Sequence, residues 1–483
     1  MDEPRRVSPA KDRSKRKRYV MTFRTPALAL GLLAAATAAS GTAQDQSTQG
    51  VQDELVMTLN DGADDPDALT FDWPMLSIGT GQYEAGPTGV TVIRFGRKVH
   101  GAVDVRGGGP GTVNAPYLDL GYVQPELDAV VLAGGSWYGL EAVTAVNTAM
   151  KDDGYRGGHW NNVGLAVGSI IYDFGGRRLN EIYPDKRLAQ AAYRAARPGV
   201  FPVGPYGAGR SAMTGGLFGC NARSGQGAAF RQIGEVKIAV FTVVNALGVV
   251  TDRDGKVVAC HAGSGWPEDL AAHELLNASP ASLRPDWDGE RAAEPERKNT
   301  TISLVVTNRS MSSAELKRLA VQVHTSMARG IQPFATELDG DVLYAVSTGE
   351  VESGPGDGLV TAEIGAVASE LMWDAILSSV PEQPSAPSPR QARDTTPDLQ
   401  SFVGTYRFSP LASLEVTAEG GRLFGQATGE RDIFAIRKGE PVELQPSGPS
   451  QFVIPGRYPF SVRFEGDKIV VNPGRWQQVG MRP

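Results

Sequence analysis

Glycine constrains this chain more than any other residue: there are 58 among 483 residues, against about 34 at ordinary usage. They follow no Gly-X-Y period, which excludes a collagen-type fibre. They gather instead in runs such as Arg106-Gly107-Gly108-Gly109-Pro110-Gly111-Thr112 and Gly207-Ala208-Gly209. A residue without a Cβ at this density predicts tight turns and backbones in close approach. A phosphate cradle is the functional alternative, but neither run completes G-x-x-x-x-G-K-[ST], so both read as structural turns. With 41% hydrophobic and 21% charged residues, the chain can build the packed core that such turns serve, across two or three domains.

The net charge of −7 speaks against a general nucleic-acid binder, but it is unevenly spread. Residues 1–43 carry nine Lys/Arg against three Asp/Glu, a net +6 that leaves −13 for the remainder of a chain totalling −7. Arg24, the Ala/Leu-rich run from Ala27 to Ala38, and Gly41-Thr42-Ala43 together form a secretory-signal pattern. Residues 1–43 are therefore expected to be a removable leader, with Met21 as an alternative start, and the mature protein to be periplasmic or secreted. The apolar run is too short to span a bilayer, and no other segment is apolar for 18 residues, so no stable membrane span is expected.

Short apolar runs at Val90–Phe95 and Leu127–Leu132 predict buried strands, and Val236–Val250 is the strongest strand signal. After Gly134-Gly135, Ser136 is placed near the N-cap of a helix. Ser312-x-x-Glu315 is a capping box opening a helix whose face runs Leu316, Leu319, Ala320, Val323, Met327 and Ile331. Strands are expected at Thr301–Thr307 and Val342–Val346, and a helix over Ile364–Leu377. Residues 264–299 read as a polar surface loop. Residues 381–397 are a Pro-rich linker, and residues 398–483 alternate apolar and polar positions between turns, predicting a small all-β barrel or sandwich.

Two cysteines, Cys220 and Cys260, cannot make a disulfide scaffold or an all-cysteine zinc site, and five histidines show no metal-binding spacing. Whether the cysteines pair is left open by the sequence. No cofactor and no metal are expected. The Gly134 run is no nucleophile elbow, since Tyr138 stands where a glycine is required. His100, His159, His261, His273 and His324 each lack an obvious partner for a triad. One junction remains, Lys298-Asn299-Thr300-Thr301-Ile302, where a polar loop meets a buried strand. It reads as a glycosylation acceptor, as a β-branched strand start, or as an autoproteolysis site. In the third reading Thr300 attacks the Asn299 carbonyl, and the freed α-amine, with a pKa near 8, then serves its own hydroxyl as base.

Several ordered motifs support the third reading. Gly89-Val90-Thr91, Asp104-Val105-Arg106-Gly107-Gly108, Leu132-Ala133-Gly134-Gly135-Ser136-x-x-Gly139-Leu140, Ile171-Tyr172-Asp173, Val243-Val244-Asn245-Ala246-x-Gly248 and Leu338-Asp339-Gly340-Asp341 lie between residues 71 and 378. This set resembles the self-cleaving N-terminal-nucleophile hydrolases that include the β-aminopeptidases and the nylon-oligomer endohydrolases, the latter more closely. The resemblance implies an α/β fold, a layered αββα-type sandwich. Its upstream chain would be residues 44–299 and its downstream chain residues 300–380, with the accessory β domain at 398–483. Thr300 would be the nucleophile and Asn299 the last upstream residue. Asn245 would donate to the oxyanion, the Tyr172 hydroxyl would lie by the nucleophile, and Asp339 and Asp341, on one side of a strand, would hold the ammonium or hydroxyl. It also implies a homo-oligomer of processed αβ pairs. The nylon-oligomer branch has a lysine soon after its Gly-Ala-Gly stretch, where this chain has Gly215 or Gly216. Arg210 lies nearby but cannot deprotonate.

The expected activity is hydrolysis of small peptide or amide bonds by an exported, self-processing enzyme. Two alternatives stand beside it: a non-catalytic periplasmic binding module on the same fold, and an acyltransferase using the same Thr acyl-enzyme.

Overall fold

The computed structural model describes residues 52, 54–120, 123–155, 157–261, 269–277, 299–352, 361–385, 398–456 and 458–483. The expected leader, Lys298 and residues 386–397 of the linker lie outside the described residues. The main elements of the larger domain are β1 (Leu76–Tyr83), β2 (Gly89–Val105), β3 (Glu126–Ala133), α1 (Leu140–Asp152), β4 (Ala166–Ile170), α2 (Lys186–Arg194), β5 (Gln226–Ile233), β6 (Val236–Asn245), β7 (Thr300–Arg309), α3 (Ser313–Ser326), β8 (Val342–Val351) and α4 (Thr361–Ser378).

One hydrogen-bonded ladder runs β5-β6-β7-β8-β2-β3-β4, with β1 also on β2. Strand β2 serves two layers. Its Val90–Arg94 stretch pairs with β3 and β1, while His100–Val105 pairs with β8, and the β2–β3 register shifts between Arg94 and Val99. Side-chain alternation then builds the layers, since successive strand residues face opposite ways. On β6, Phe241 and Val243 face a central core with Ile93, Leu132, Ile302 and Tyr344. Their neighbours Val240 and Val244 face Leu316, Val323, Leu371 and Met372 of α3 and α4. On the far layer, Val92 and Val131 pack under Val143, Val146 and Leu188 of α1 and α2. The result is helix, sheet, sheet, helix, the αββα sandwich. Each fully buried large side chain in these three cores contributes about 1.5–3 kcal/mol.

The strand expected over Val236–Val250 ends at Asn245, and Val249–Val250 pairs separately with Ile331–Gln332. The capping box at Ser312 and Glu315 is present, but α3 stops at Ser326, so Ile331 lies on a strand. Ser136 does not cap α1. Gly135 and Ser136 both take positive φ and open a 3-10 turn over Ser136–Gly139, and Gly139, the N-cap of α1, offers no side-chain cap. Residues 272–277, inside the expected polar loop, form a short helix. Cys220 and Cys260 form a disulfide.

Between Gly404 and Met481 eight antiparallel strands close into a barrel. Its interior is filled by side chains including Leu414, Phe452, Val462, Phe464 and Ile469, and by Leu179 of the larger domain. Among the described residues no helix is long and apolar enough to cross a membrane.

Candidate functional site

Thr300 is the first residue of β7 and is 3% exposed. Strand pairing sets Asn245, the last residue of β6, directly opposite it. On the other side Asn299 bridges in parallel to Asp339 in the turn that leads into β8. The ends of three adjacent strands thus converge on the Asn299–Thr300 peptide. The Thr300 Oγ hydroxyl donates to the Asn299 carbonyl oxygen at 2.5 Å. The same oxygen accepts the backbone N–H of Gly340 at 2.9 Å.

Asp339 and Asp341 lie in this turn rather than on a strand. Asp339 accepts the Leu247 N–H at 3.3 Å on one oxygen and the Thr336 hydroxyl at 2.7 Å on the other. Asp341 accepts the Thr301 N–H at 2.5 Å and the Ala335 N–H at 3.0 Å. Burial raises the pKa of Asp339. Asp341 is pushed well above the ordinary carboxyl range by burial and by the charge of Asp339, against the pull of its two backbone donors. Two such carboxyls retain a proton over a pH range where isolated ones have lost it.

The first glycine run is the cradle of this turn. Arg106 and Gly107 donate backbone N–H groups to the Asp341 carbonyl at 3.0 and 3.2 Å, and Gly109 donates to the Asp339 carbonyl at 2.9 Å. A Cβ on Gly107 would stand 2.1 Å from the Asp341 nitrogen, and one on Gly108 would stand 2.2 Å from the Glu337 oxygen. The run is therefore glycine so that two backbones can touch. Gly207 and Gly209 pack in the same way, against Thr91 and the Gln226 nitrogen.

The Asn245 amide is fixed at both ends. Its Oδ1 accepts from Arg177 Nη1 at 2.6 Å and from the Met213 N–H at 3.1 Å, while Nδ2 donates to the Tyr172 carbonyl at 2.9 Å. Tyr172 thus reaches the site through its carbonyl. All five residues singled out in the sequence, Thr300, Asn245, Tyr172, Asp339 and Asp341, belong to one connected cluster. Three further contributors had not been singled out: the Gly340 N–H, Arg177 and Thr336. Gly340 stood inside the Asp-Gly-Asp motif, but a backbone donor has no side-chain signature, and Arg177 carried no local signal.

The vacant lysine position also resolves. Gly215 has φ +76° and its Cβ would stand 2.5 Å from Cys220 Cβ, whereas a Cβ on Gly216 would stand 3.6 Å from Asn299 Nδ2. Gly216 faces the junction. Arg210 does not: its buried guanidinium bonds to the carbonyls of Tyr83 and Glu84 and its Nε to that of Arg475, and burial pushes its pKa down to about 10. His324 has a partner after all, Asp104 Oδ2 at 2.9 Å from Nδ1. Among the described residues no group of three or more His, Cys, Asp or Glu side chains is arranged to hold a metal ion.

The sequence profile of Peptidase family S58 matches residues 70–386. A 6-aminohexanoate-oligomer endohydrolase of Paenarthrobacter ureafaciens is 41% identical over 319 residues, spanning 64% of this chain and 85% of that protein. An uncharacterized aminopeptidase of Mycobacterium tuberculosis is 34% identical over 325 residues, 64% of this chain and 88% of that protein. Among solved structures, a β-aminopeptidase of Burkholderia sp. aligns over 68% of this chain and 85% of its own, with 16% identity and a TM-score of 0.44.

Proposed function

The chain belongs to peptidase family S58 and is a hydrolase of peptide or amide bonds, and from that premise we propose that Thr300 is its nucleophile, released by self-cleavage. In the first step the Thr300 Oγ–H bond breaks as Oγ bonds to the Asn299 carbonyl carbon. The carbonyl oxygen becomes an oxyanion held by the Gly340 N–H. The C–N bond to Thr300 then breaks, its nitrogen takes the proton given up by Oγ, and an ester links the two residues. Water hydrolyses that ester, leaving an Asn299 carboxylate and a free Thr300 α-amine. One observation carries this reading: the Asn299 carbonyl oxygen lies between Thr300 Oγ at 2.5 Å and the Gly340 N–H at 2.9 Å.

Processed enzyme then uses the α-amine as base for the Thr300 hydroxyl, which attacks a substrate amide; the proton passes to the departing amine as the C–N bond breaks, and water hydrolyses the resulting acyl ester. The Asn245 Nδ2 group donates to the new oxyanion, a contribution of about 3 kcal/mol for a preorganised donor. Asp339 and Asp341 hold the ammonium form of the amine between steps. Linear amides of the 6-aminohexanoate type are the substrate class proposed, by analogy with the endohydrolase relatives. Export through the residue 1–43 leader is supported by the Cys220–Cys260 disulfide, which suits an oxidising compartment. Assembly into an oligomer of processed pairs belongs to the same proposal.

The test is a denaturing gel of purified protein with N-terminal sequencing, beside hydrolysis of a 6-aminohexanoate oligomer by wild type and Thr300→Ala. A fragment beginning at Thr300, and loss of both cleavage and hydrolysis in the variant, are expected. An intact wild-type chain that is also inert toward amides overturns the reading.

A further inference from the structure

The family match ends at residue 386, so the barrel at 404–481 is an addition to the matched hydrolase region. Its outside meets the larger domain at several places, among them Arg475 on Asp65, Gln477 on the Glu84 carbonyl and one short segment at residues 175–179. Gln478 is 1% exposed, and its amide faces the backbone of the larger domain. Its Oε1 accepts the Leu179 N–H at 2.6 Å and its Nε2 donates to the Arg177 carbonyl at 2.8 Å. The Arg431 guanidinium donates to the Gly175 carbonyl. The Leu179 side chain completes the barrel core. Barrel residues therefore hold three backbone groups and one side chain within five consecutive residues.

That segment carries Arg177, whose Nη1 donates to Asn245 Oδ1 at 2.6 Å. A cation on the amide oxygen fixes which way the amide points and polarises its N–H bonds toward stronger donation. The segment is a single 3-10 turn entered at Gly175 with φ +82°, too short to fix itself by internal bonds. Buried Arg178 anchors it from below, with Asp173 at 3.5 Å. Without the barrel the segment stays attached, but the Arg177 carbonyl and the Leu179 N–H lose their contacts to Gln478. Elsewhere the Tyr458 hydroxyl donates to the Gly219 carbonyl at 2.7 Å. That loop also contains Gly216, beside Asn299.

We propose that the C-terminal barrel is a positioning module for the amide-hydrolysis site, with Gln478 and Arg431 setting Arg177 and, through it, the Asn245 amide. The inference rests on the reading that Asn245 serves a reaction at Thr300. Gln478 and Arg431 are positioning residues; neither touches the reacting atoms.

The test uses the full-length chain. Gln478→Glu keeps the shape but replaces the donor to the Arg177 carbonyl with a second acceptor. It is expected to lower kcat on a 6-aminohexanoate oligomer about tenfold or more, the scale of a sub-ångström misplacement, with KM within about twofold. Arg431→Ala gives a smaller loss of the same kind, and Arg177→Met matches Gln478→Glu. The double variant Gln478→Glu/Arg177→Met is expected to be no slower than its worse parent, because both act through one route. Arg463→Ala, at a half-buried barrel residue paired with Glu465, leaves kcat unchanged. Should Gln478→Glu fail to fold, Arg431→Ala and its double with Arg177→Met make the same comparison. Losses that multiply in the double variant, or a Gln478→Glu or Arg431→Ala kcat indistinguishable from wild type, overturn the inference while leaving the Thr300 reading intact. A wild-type chain that neither cleaves itself nor hydrolyses the oligomer overturns both.

Discussion

The Gly340 N–H donates to the Asn299 carbonyl oxygen at 2.9 Å, across the turn that carries both buried aspartates. This contact fixes the Asn299 carbonyl where the proposed self-cleavage would form an oxyanion, and it requires Gly340 to approach Thr300 without a side chain.

Gly340→Ala tests that approach. The added Cβ would stand 2.8 Å from Thr300 Oγ and 2.8 Å from the Gly109 carbonyl oxygen, so hydroxyl and backbone cannot both stay in place. Overpacking of this kind costs about 1–3 kcal/mol. Slower self-cleavage in timed denaturing gels and a lowered Tm are expected. Gly109→Ala is the control, since its nearest neighbour would be at an ordinary 3.9 Å.

The aspartate pair predicts a pH signature. Burial and the Asp339 charge raise the folded-state pKa of Asp341 above the ordinary aspartate value of about 3.9. The folded chain therefore holds a proton over a range where the unfolded chain has lost it. That contribution to stability is complete below about pH 3.9 and disappears as pH rises through the raised folded value. Asp341→Asn removes the titration and leaves one of the two backbone donors, Thr301 or Ala335, without its oxygen. A vertical offset in stability is expected, and the variant's stability relative to wild type should rise with pH above about 4. Paired Tm–pH curves check this, and parallel curves would contradict it.

Much of this site was legible in the sequence because strand periodicity is local. The run from Val236 through Asn245 fixed the faces of β6, and the β-branched pair Thr300-Thr301 marked the start of β7. The three-strand convergence on Thr300 was not legible from spacing, since β6 and β7 are separated by residues 246–299 and meet only through tertiary pairing. The two-residue spacing of Asp339 and Asp341 fits one face of a strand or a hairpin loop equally. They lie in a turn because the Gly107–Gly109 backbone holds their carbonyls, a long-range contact without a residue-level signal. Gly340, Arg177 and the Gln478 contact were missed for related reasons: they act through the backbone or through a segment distant in sequence.

Gly215 and Gly216 predict opposite outcomes. Gly215→Ala forces a left-handed backbone onto a residue with a Cβ, at roughly 1–2 kcal/mol, and brings that Cβ within 2.5 Å of Cys220 Cβ. Gly216→Ala meets nothing nearer than 3.6 Å and sits at no positive φ. The first should lower the urea midpoint clearly, while the second leaves it unchanged or raises it slightly by restricting the unfolded chain. Equal midpoints for the two variants would contradict the assignment of Gly216 as the position open toward the junction.

The Cys220–Cys260 bond ties this same loop to the segment that follows Val249–Val250, and it lies in a small core with Phe218, Val249 and Leu275. The sequence separation it closes is 40 residues. In the chain-entropy account, closing a loop of this size stabilises by about 2–4 kcal/mol. Reductant should therefore lower the urea midpoint of the wild type, while the Cys220→Ser/Cys260→Ser double variant starts low and does not respond to reductant. The Cys220 N–H donates to the Gly215 carbonyl at 2.9 Å, and its carbonyl accepts from His261 at 3.1 Å, so reduction leaves the local turn hydrogen bonds in place. Stability is thus expected to fall by more than the rate of self-cleavage. A reduced chain that keeps its midpoint but stops cleaving itself would instead place the disulfide in the machinery of the Asn299–Thr300 junction.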